Sequence, residues 1–340
     1  MTLERIDIIR FRNLKNQTVS TAGPWVSVSG PNAQGKSNFL EAVSILANGK
    51  DLRDNHIHAV PRGEAFWSLR GRVSGVDRIA AYKDSSLSLS LNGKSARTAD
   101  FMARGGAIYA DDGIFWKWFM LPEERRKFLD RVLLLKDATY LDHYQSFSRI
   151  LQQRNTALRK GCDPDLYRAL TDQFVEHSAM LNRLRQTLTV ELQEGLNRKL
   201  SAQGIDVLLY YPTYKLSDYQ KLAQRFRPQE VRRGFSLFGP QREDLTLLID
   251  RKPAVRILSL GQKKMLFLFL ILVAAELLPS ALLIIDDFDT DLDPSRMEQI
   301  YRIFSESPVQ KITASLSPAN HGGVHFTVQK GRLTPAKESL

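Results

Sequence analysis

The longest unbroken apolar run is Met265-Leu-Phe-Leu-Phe-Leu-Ile-Leu-Val-Ala-Ala275, bracketed by Lys263, Lys264 and Glu276. It is far short of the roughly 20 residues that a bilayer core needs, so it predicts a buried helix. A polar turn, Leu258-Ser-Leu-Gly-Gln262, stands at the front of that helix. Nearer the start, Leu3, Ile6, Ile8 and Ile9 predict one strand, and Trp25, Val26 and Val28 predict a second. Phe39, Leu40, Val43, Leu46 and Ala47 then fall at helical spacing over residues 36–48. From Phe66 to Ala99 short alternating runs take over, including Ser86-Leu-Ser-Leu-Ser-Leu91 before Asn92-Gly93, a strong hairpin signal. This predicts an antiparallel β subdomain.

The middle of the chain changes period. Leu166, Leu170, Phe174, His177, Leu181, Leu184, Leu188, Leu192 and Leu196 recur every three or four residues, the mark of one long helix with a narrow apolar stripe. His177 reads as a filler of that stripe. Leu141, Tyr144, Ser148 and Leu151 keep similar spacing before it, and Lys160-Gly-Cys-Asp-Pro164 separates the two helices. Gly161 suits the end of the first, Asp163 the cap of the second and Pro164 its first turn. The result is an antiparallel helical hairpin, sized as a short arm rather than a long rod. Strands return at Leu245-Thr-Leu-Leu-Ile249 and Ala281-Leu-Leu-Ile-Ile285.

Composition adds a bias. The 340 residues carry 48 Lys and Arg against 37 Asp and Glu, a net charge of +11, which favours a polyanionic partner such as DNA. Residues 117–233 hold 21 basic and 14 acidic residues, a net of +7, while the other 223 residues carry only +4. The arm is therefore the expected phosphate-contacting surface, with Arg154, Arg159, Arg183 and Arg185 as candidates. One cysteine, Cys162, excludes an internal disulfide framework and a cysteine-built zinc cage. The opening Met1-Thr-Leu-Glu-Arg-Ile-Asp7 lacks the apolar stretch of a signal peptide, so a cytoplasmic setting without a membrane anchor is expected.

Gly30-Pro-Asn-Ala-Gln-Gly-Lys-Ser37 matches the phosphate-binding loop pattern and lies between a predicted strand and a predicted helix, the context such a loop requires. Backbone N–H groups from Asn32 through Ala33, Gln34, Gly35 and Lys36, with the helix N-terminus, would surround the phosphates of ATP. Lys36 would reach the β and γ oxygens, and Ser37 would bind Mg2+. Such a loop needs a carboxylate at the end of a neighbouring strand. Ala281–Ile285 supplies one, because ligands gather at the C-terminal ends of buried parallel strands. Asp286 is then the metal carboxylate, and Asp287 is placed to orient or deprotonate the attacking water.

Leu258-Ser-Leu-Gly-Gln262 resembles the signature of ATP-binding-cassette ATPases. Ser259 is a good helix cap, Gly261 permits close approach of backbone, and the helix dipole favours an anion there. In that class the signature, here Ser259, Gly261 and Gln262, faces the phosphate loop of a second subunit. One loop and one signature per chain therefore imply an ATP-glued homodimer.

Within the class, the chain is similar to the RecF family of bacterial recombination mediators. The matching stretches are Ile9-Arg-Phe-Arg-Asn13, Leu40-Glu-Ala42, Glu124-Arg-Arg-Lys-Phe-Leu-Asp130, Gln153-Arg-Asn-Thr-Ala-Leu-Arg159, Gly239-Pro-Gln-Arg-Glu-Asp-Leu245, the signature and Ile285-Asp-Asp-Phe-Asp-Thr-Asp-Leu-Asp293. The resemblance implies an α/β fold: an ABC-ATPase head made of residues 1–116 and 234–340, with a helical arm over 117–233 inserted between them. It further implies ATP-dependent dimerisation, DNA binding in recombinational repair, slow hydrolysis as a release switch, and cooperation with RecR and RecO. Asp293 would lie in the loop crossing the dimer, and Arg12 would contact nucleotide.

The family pattern is not followed everywhere. Ala110-Asp-Asp112 stands where the family has Ser-Pro-Glu, and Gln241 where it has histidine. No counterpart of the cassette switch histidine occurs near Thr313-Ala-Ser315, and His321 follows too late. Two other readings compete. A transporter's cytosolic ATPase subunit would need a membrane partner, which the basic arm and the non-generic matches oppose. A chromosome-organising SMC or Rad50-like ATPase would need a longer coiled coil than residues 138–202 supply.

Overall fold

The computed structural model describes residues 1–50, 59–61, 63–161, 163–200, 206–318 and 322–336; Cys162 and His321 lie outside them. In chain order the elements are β1 (Leu3–Ile9), β2 (Gln17–Ser20), β3 (Trp25–Ser29), α1 (Lys36–Asn48), β4 (Phe66–Val73), β5 (Val76–Lys83), β6 (Ser86–Leu91), β7 (Lys94–Ala96), α2 (Thr98–Met102), β8 (Gly106–Ala110) and α3 (Asp112–Met120). There follow α4 (Pro122–Lys136), α5 (Tyr140–Lys160), α6 (Pro164–Leu200), β9 (Leu208–Tyr210), α7 (Leu216–Arg233), β10 (Thr246–Ile249) and β11 (Lys252–Pro253). The chain closes with α8 (Leu260–Glu276), β12 (Ala281–Ile285), α9 (Pro294–Ser305), β13 (Gln310–Ser315), β14 (Val324–Gln329) and β15 (Arg332–Pro335).

These elements form two compact units. The first joins Met1–Phe115 to Ser259–Leu340, and the second is Trp116–Leu258. The first unit holds two sheets. One is antiparallel, in the order β2-β1-β4-β5-β6-β7; the other runs β15-β14-β3-β13-β12-β8 and is parallel except at β15. A single apolar cluster joins both sheets through α1: Phe39, Leu40, Val43 and Leu46 meet Ile6, Ile8, Trp67 and Leu69 of one sheet and Val26, Val28, Ile284 and Ile312 of the other. A helix that must satisfy two sheets is apolar around most of its girth, and α1 is buried at eleven of its thirteen positions. The same logic governs α8. Every residue from Lys264 to Ala275 is buried, so the apolar run is a central helix. β3, β12 and β13 are buried throughout, as strands covered on both faces must be.

In the second unit α5 and α6 pair antiparallel, with the Phe147 and Phe174 rings stacked at 5.7 Å and the Arg154 Nε donating to Thr171 Oγ1 at 3.2 Å. Asp163 caps α6 by accepting the N–H groups of Asp165 and Leu166, and Gly161 takes φ 71° after α5.

Three sequence expectations change. The segment 2–30 holds three strands, because Gln17–Ser20 pairs with β1 although only Val19 of it is buried. Leu245–Ile249 belongs to the second unit, where β10 pairs with β9 and β11. That pairing carries the unit to Leu258, past the expected limit at 233. Third, two of the four candidate phosphate-contacting arginines are interior. Arg154 is 0% exposed, ion-paired to Glu230 at 2.7 Å and donating to Ser236 Oγ and Tyr167 Oη. Arg185 is 2% exposed, forks onto Asp130 at 2.8 and 3.0 Å and donates to the Pro240 carbonyl. Each occupies a polar gap in the helical stripe that only its partners explain. Arg159 and Arg183 are exposed.

Candidate nucleotide site

The phosphate loop leaves β3 at Gly30 and enters α1 at Lys36. Gly35 sits at the helix cap with φ 118°, and a Cβ there would come within 2.9 Å of Leu14 Cδ2 and 3.0 Å of Asn13 Oδ1. The positive φ favours glycine there, and a Cβ would also have to displace those two side-chain ends. Ala33 also takes a positive φ, 62°, and Asn32 and Ala33 are exposed at the loop's crest. The buried Lys36 folds its ammonium back over the loop, donating to the carbonyls of Gly30 at 2.6 Å and Pro31 at 3.1 Å. Gln34 braces the loop from the far side, its side-chain oxygen accepting the Lys330 N–H at 2.7 Å and its carbonyl accepting the Gly331 N–H.

Asp286 stands one residue past β12 and is only 4% exposed, and Ser37, in the first turn of α1, lies beside its carboxylate. Burial pushes the Asp286 carboxyl up, opposed by the Ser37 hydroxyl and the Asp287 N–H. The Ser37 hydroxyl and the Asp286 carboxylate are the kind of hard oxygen donors that a P-loop presents to Mg2+, the remaining positions falling to water and phosphate oxygens. The residues fit that ion. Asp287 follows with φ 52°, its carboxyl pushed up to about 6 by burial first and then by the charges of Asp286 and Asp112.

Arg12 lies in the turn after β1, at φ 50°; its Nη2 is 2.5 Å from Glu41 Oε1 on α1. The neighbouring Asn13 touches the phosphate loop, its Nδ2 donating to the Ala33 carbonyl at 3.3 Å.

The signature begins α8. Ser259 and Gln262 form a reciprocal capping box, the Ser259 hydroxyl accepting the Gln262 N–H at 3.3 Å and Gln262 Oε1 accepting the Ser259 N–H at 2.9 Å. Ser259 is exposed, so the helix N-terminus opens outward. Gly261 is buried instead. A Cβ there would lie 3.0 Å from the Asp291 carbonyl and 3.3 Å from Arg296 Nη1, so a larger residue would require those neighbours of its own unit to shift by a few tenths of an ångström. Asp293 caps α9, accepting the Arg296 N–H at 3.0 Å and pairing with the Arg296 guanidinium. The Asp286–Asp293 segment is pinned by Phe288, which packs against Trp25, Tyr301 and Phe304. Asp289 ties it to the turn after β13 by accepting the Leu316 N–H at 3.3 Å. His325 is on β14, its Nδ1 2.7 Å from Ser27 Oγ.

Three further residues beside the site had no assigned role from the sequence. Asp112, just past β8, pairs with the buried Lys264 of α8, and Thr290 Oγ1 is 3.1 Å from Asp112 Oδ2. The signal for Asp112 was the same as for Asp286, an acidic pair closing a fully buried strand. For Lys264 it was a cation on a helix that is otherwise buried and apolar.

Among the described residues no helix is long and apolar enough to cross a membrane. The DNA replication and repair protein RecF of Deinococcus deserti is 28% identical over 357 residues, covering 100% of this chain and 97% of its own length. A structure of the recombination mediator protein RecF-ATPrS in the RecFOR pathway superposes with a TM-score of 0.83 at 22% identity, covering 99% of this chain and 98% of that one. An SMC head bound to the C-terminal winged-helix domain of ScpA gives 0.59 at 13% identity, with 99% of both chains covered. The architecture is thus that of an ABC-type ATPase head with an inserted arm. Residues 2–325 match the RecF/RecN/SMC N terminal domain, and the chain belongs to that family.

Proposed function

We propose that this protein is an ATP-gated, DNA-binding factor of recombinational repair, acting in the cytoplasm as a homodimer. Two ATP molecules are held between two heads, each by the phosphate loop of one copy and the Ser259 end of α8 from the other. Mg2+, held by Ser37 and Asp286, would neutralise phosphate charge. Lys36 leaves its loop carbonyls for the β and γ oxygens, and Asp287 orients or deprotonates the attacking water. Hydrolysis is slow and serves as release. The dimer binds DNA at junctions of single and double strand, works with RecR and RecO, and helps load recombinase.

The observation that carries this reading is the placement of Ser37 beside the buried Asp286 carboxylate, together with an outward-facing, capped signature helix in the same head. The full-length similarity to RecF proteins supports the pathway, and the +7 charge of residues 117–233 supports the DNA partner. Sedimentation with and without ATP tests it. The wild type is expected to shift from monomer to dimer on adding ATP, and Lys36→Arg to stay monomeric. A wild type that remains monomeric at saturating nucleotide would sink the proposal.

A further inference from the structure

Asp287 is held in a left-handed backbone conformation that a non-glycine residue adopts only at a cost. Something must hold it there. Its carbonyl receives Lys264 Nζ at 3.1 Å and lies 2.5 Å from Thr290 Oγ1. Its N–H donates to Asp286 Oδ1 at 3.1 Å, so the peptide groups on both sides of Asp287 are fixed. The Lys264 ammonium is only 2% exposed, and it is kept in place by the Asp112 carboxylate and by the Phe115 ring, 5.3 Å away. A buried, multiply bonded ammonium is a rigid strut, because breaking any one contact leaves charge unpaired in a water-poor interior. That strut rises from the second turn of α8, whose first turn carries the Ser259 cap.

We infer that Lys264 is a positioning residue: by bonding the Asp287 carbonyl it aims the Asp287 carboxylate, and it links that aim to the seating of the signature end of α8. The inference rests on the proposed role of Asp287 in hydrolysis. Through one rigid helix, a nucleotide of the partner copy pressing on Ser259 would act on the water-activating group of the head that supplies the helix.

Steady-state ATP hydrolysis and ATP-driven dimerisation, measured together on the full chain, test this. Lys264→Met is expected to lower kcat about 10- to 100-fold, the scale of a displaced reacting group, with KM for ATP within about twofold. The variant still dimerises. Wild-type specific activity should climb with protein concentration as dimers form, whereas that of Lys264→Met should stay flat. Asp112→Asn, which keeps the volume of the site, should give the same kcat loss, and the double variant should be no worse than either single one. Unchanged kcat in Asp112→Asn, or kcat and dimerisation falling together in both variants, overturns the inference. Asp287→Asn separates the two readings: wild-type turnover in that variant removes the role of Asp287 itself. Lost turnover there, with Lys264→Met and Asp112→Asn fully active, removes only the strut.

Discussion

The Asp287 carboxyl, pushed up to about 6, sets a testable pH dependence. A raised carboxyl is protonated below that value and then cannot take a proton from water. Turnover therefore falls as pH drops through about 6 and is level above it. A kcat/KM profile for ATP from pH 5 to 9 measures this, and a profile flat to the acid end would exclude Asp287 as the base. The positions of Lys36, Ser37 and Asp286, at a helix start and a strand end, were legible because they are set by near neighbours in sequence. Arg154 and Arg185 misled as surface candidates because their partners Glu230 and Asp130 are 76 and 55 residues away. Arg154→Met is expected to cost about 3–5 kcal/mol by stranding the buried Glu230 carboxylate, read by denaturant unfolding. Arg183→Gln should change stability by less than about 0.5 kcal/mol, as an exposed side chain does.

At the scale of elements, helices announced themselves best. The 37-residue α6 and the α8 run buried from Lys264 to Ala275 follow from periodicity and from an apolar run too short for a membrane. The strand β2 did not, because one buried residue in four gives no period; it exists because β1 offers it a free edge. The cap of α8 separates local from intermolecular effects. Ser259→Ala should lose about 1 kcal/mol of thermal stability with the capping box. If Ser259 also grips the partner's phosphate, ATP-driven dimerisation should weaken by much more than that loss explains. Ser259→Asn, which keeps a capping oxygen, should restore stability without restoring dimerisation.

For the whole molecule, the +11 charge predicts that DNA binding weakens steeply as salt rises. Replacing both exposed arginines, Arg159 and Arg183, by Gln should reduce the slope of log affinity against log salt by about one for each phosphate left unneutralised. An unchanged slope would move the DNA surface off the arm. The sequence by itself determined the phosphate-loop pattern between a strand and a helix, the buried helix and the insertion of a basic helical segment, since each depends on spacing within a few residues and on hydrophobic period. Only the tertiary structure decided that β10 joins the second unit, that Gly261 packs closely against Asp291 and Arg296, and that Lys264 bridges Asp112 to the Asp287 backbone. Those contacts join residues distant in the chain, and a buried charge finds its partner by where folding places it.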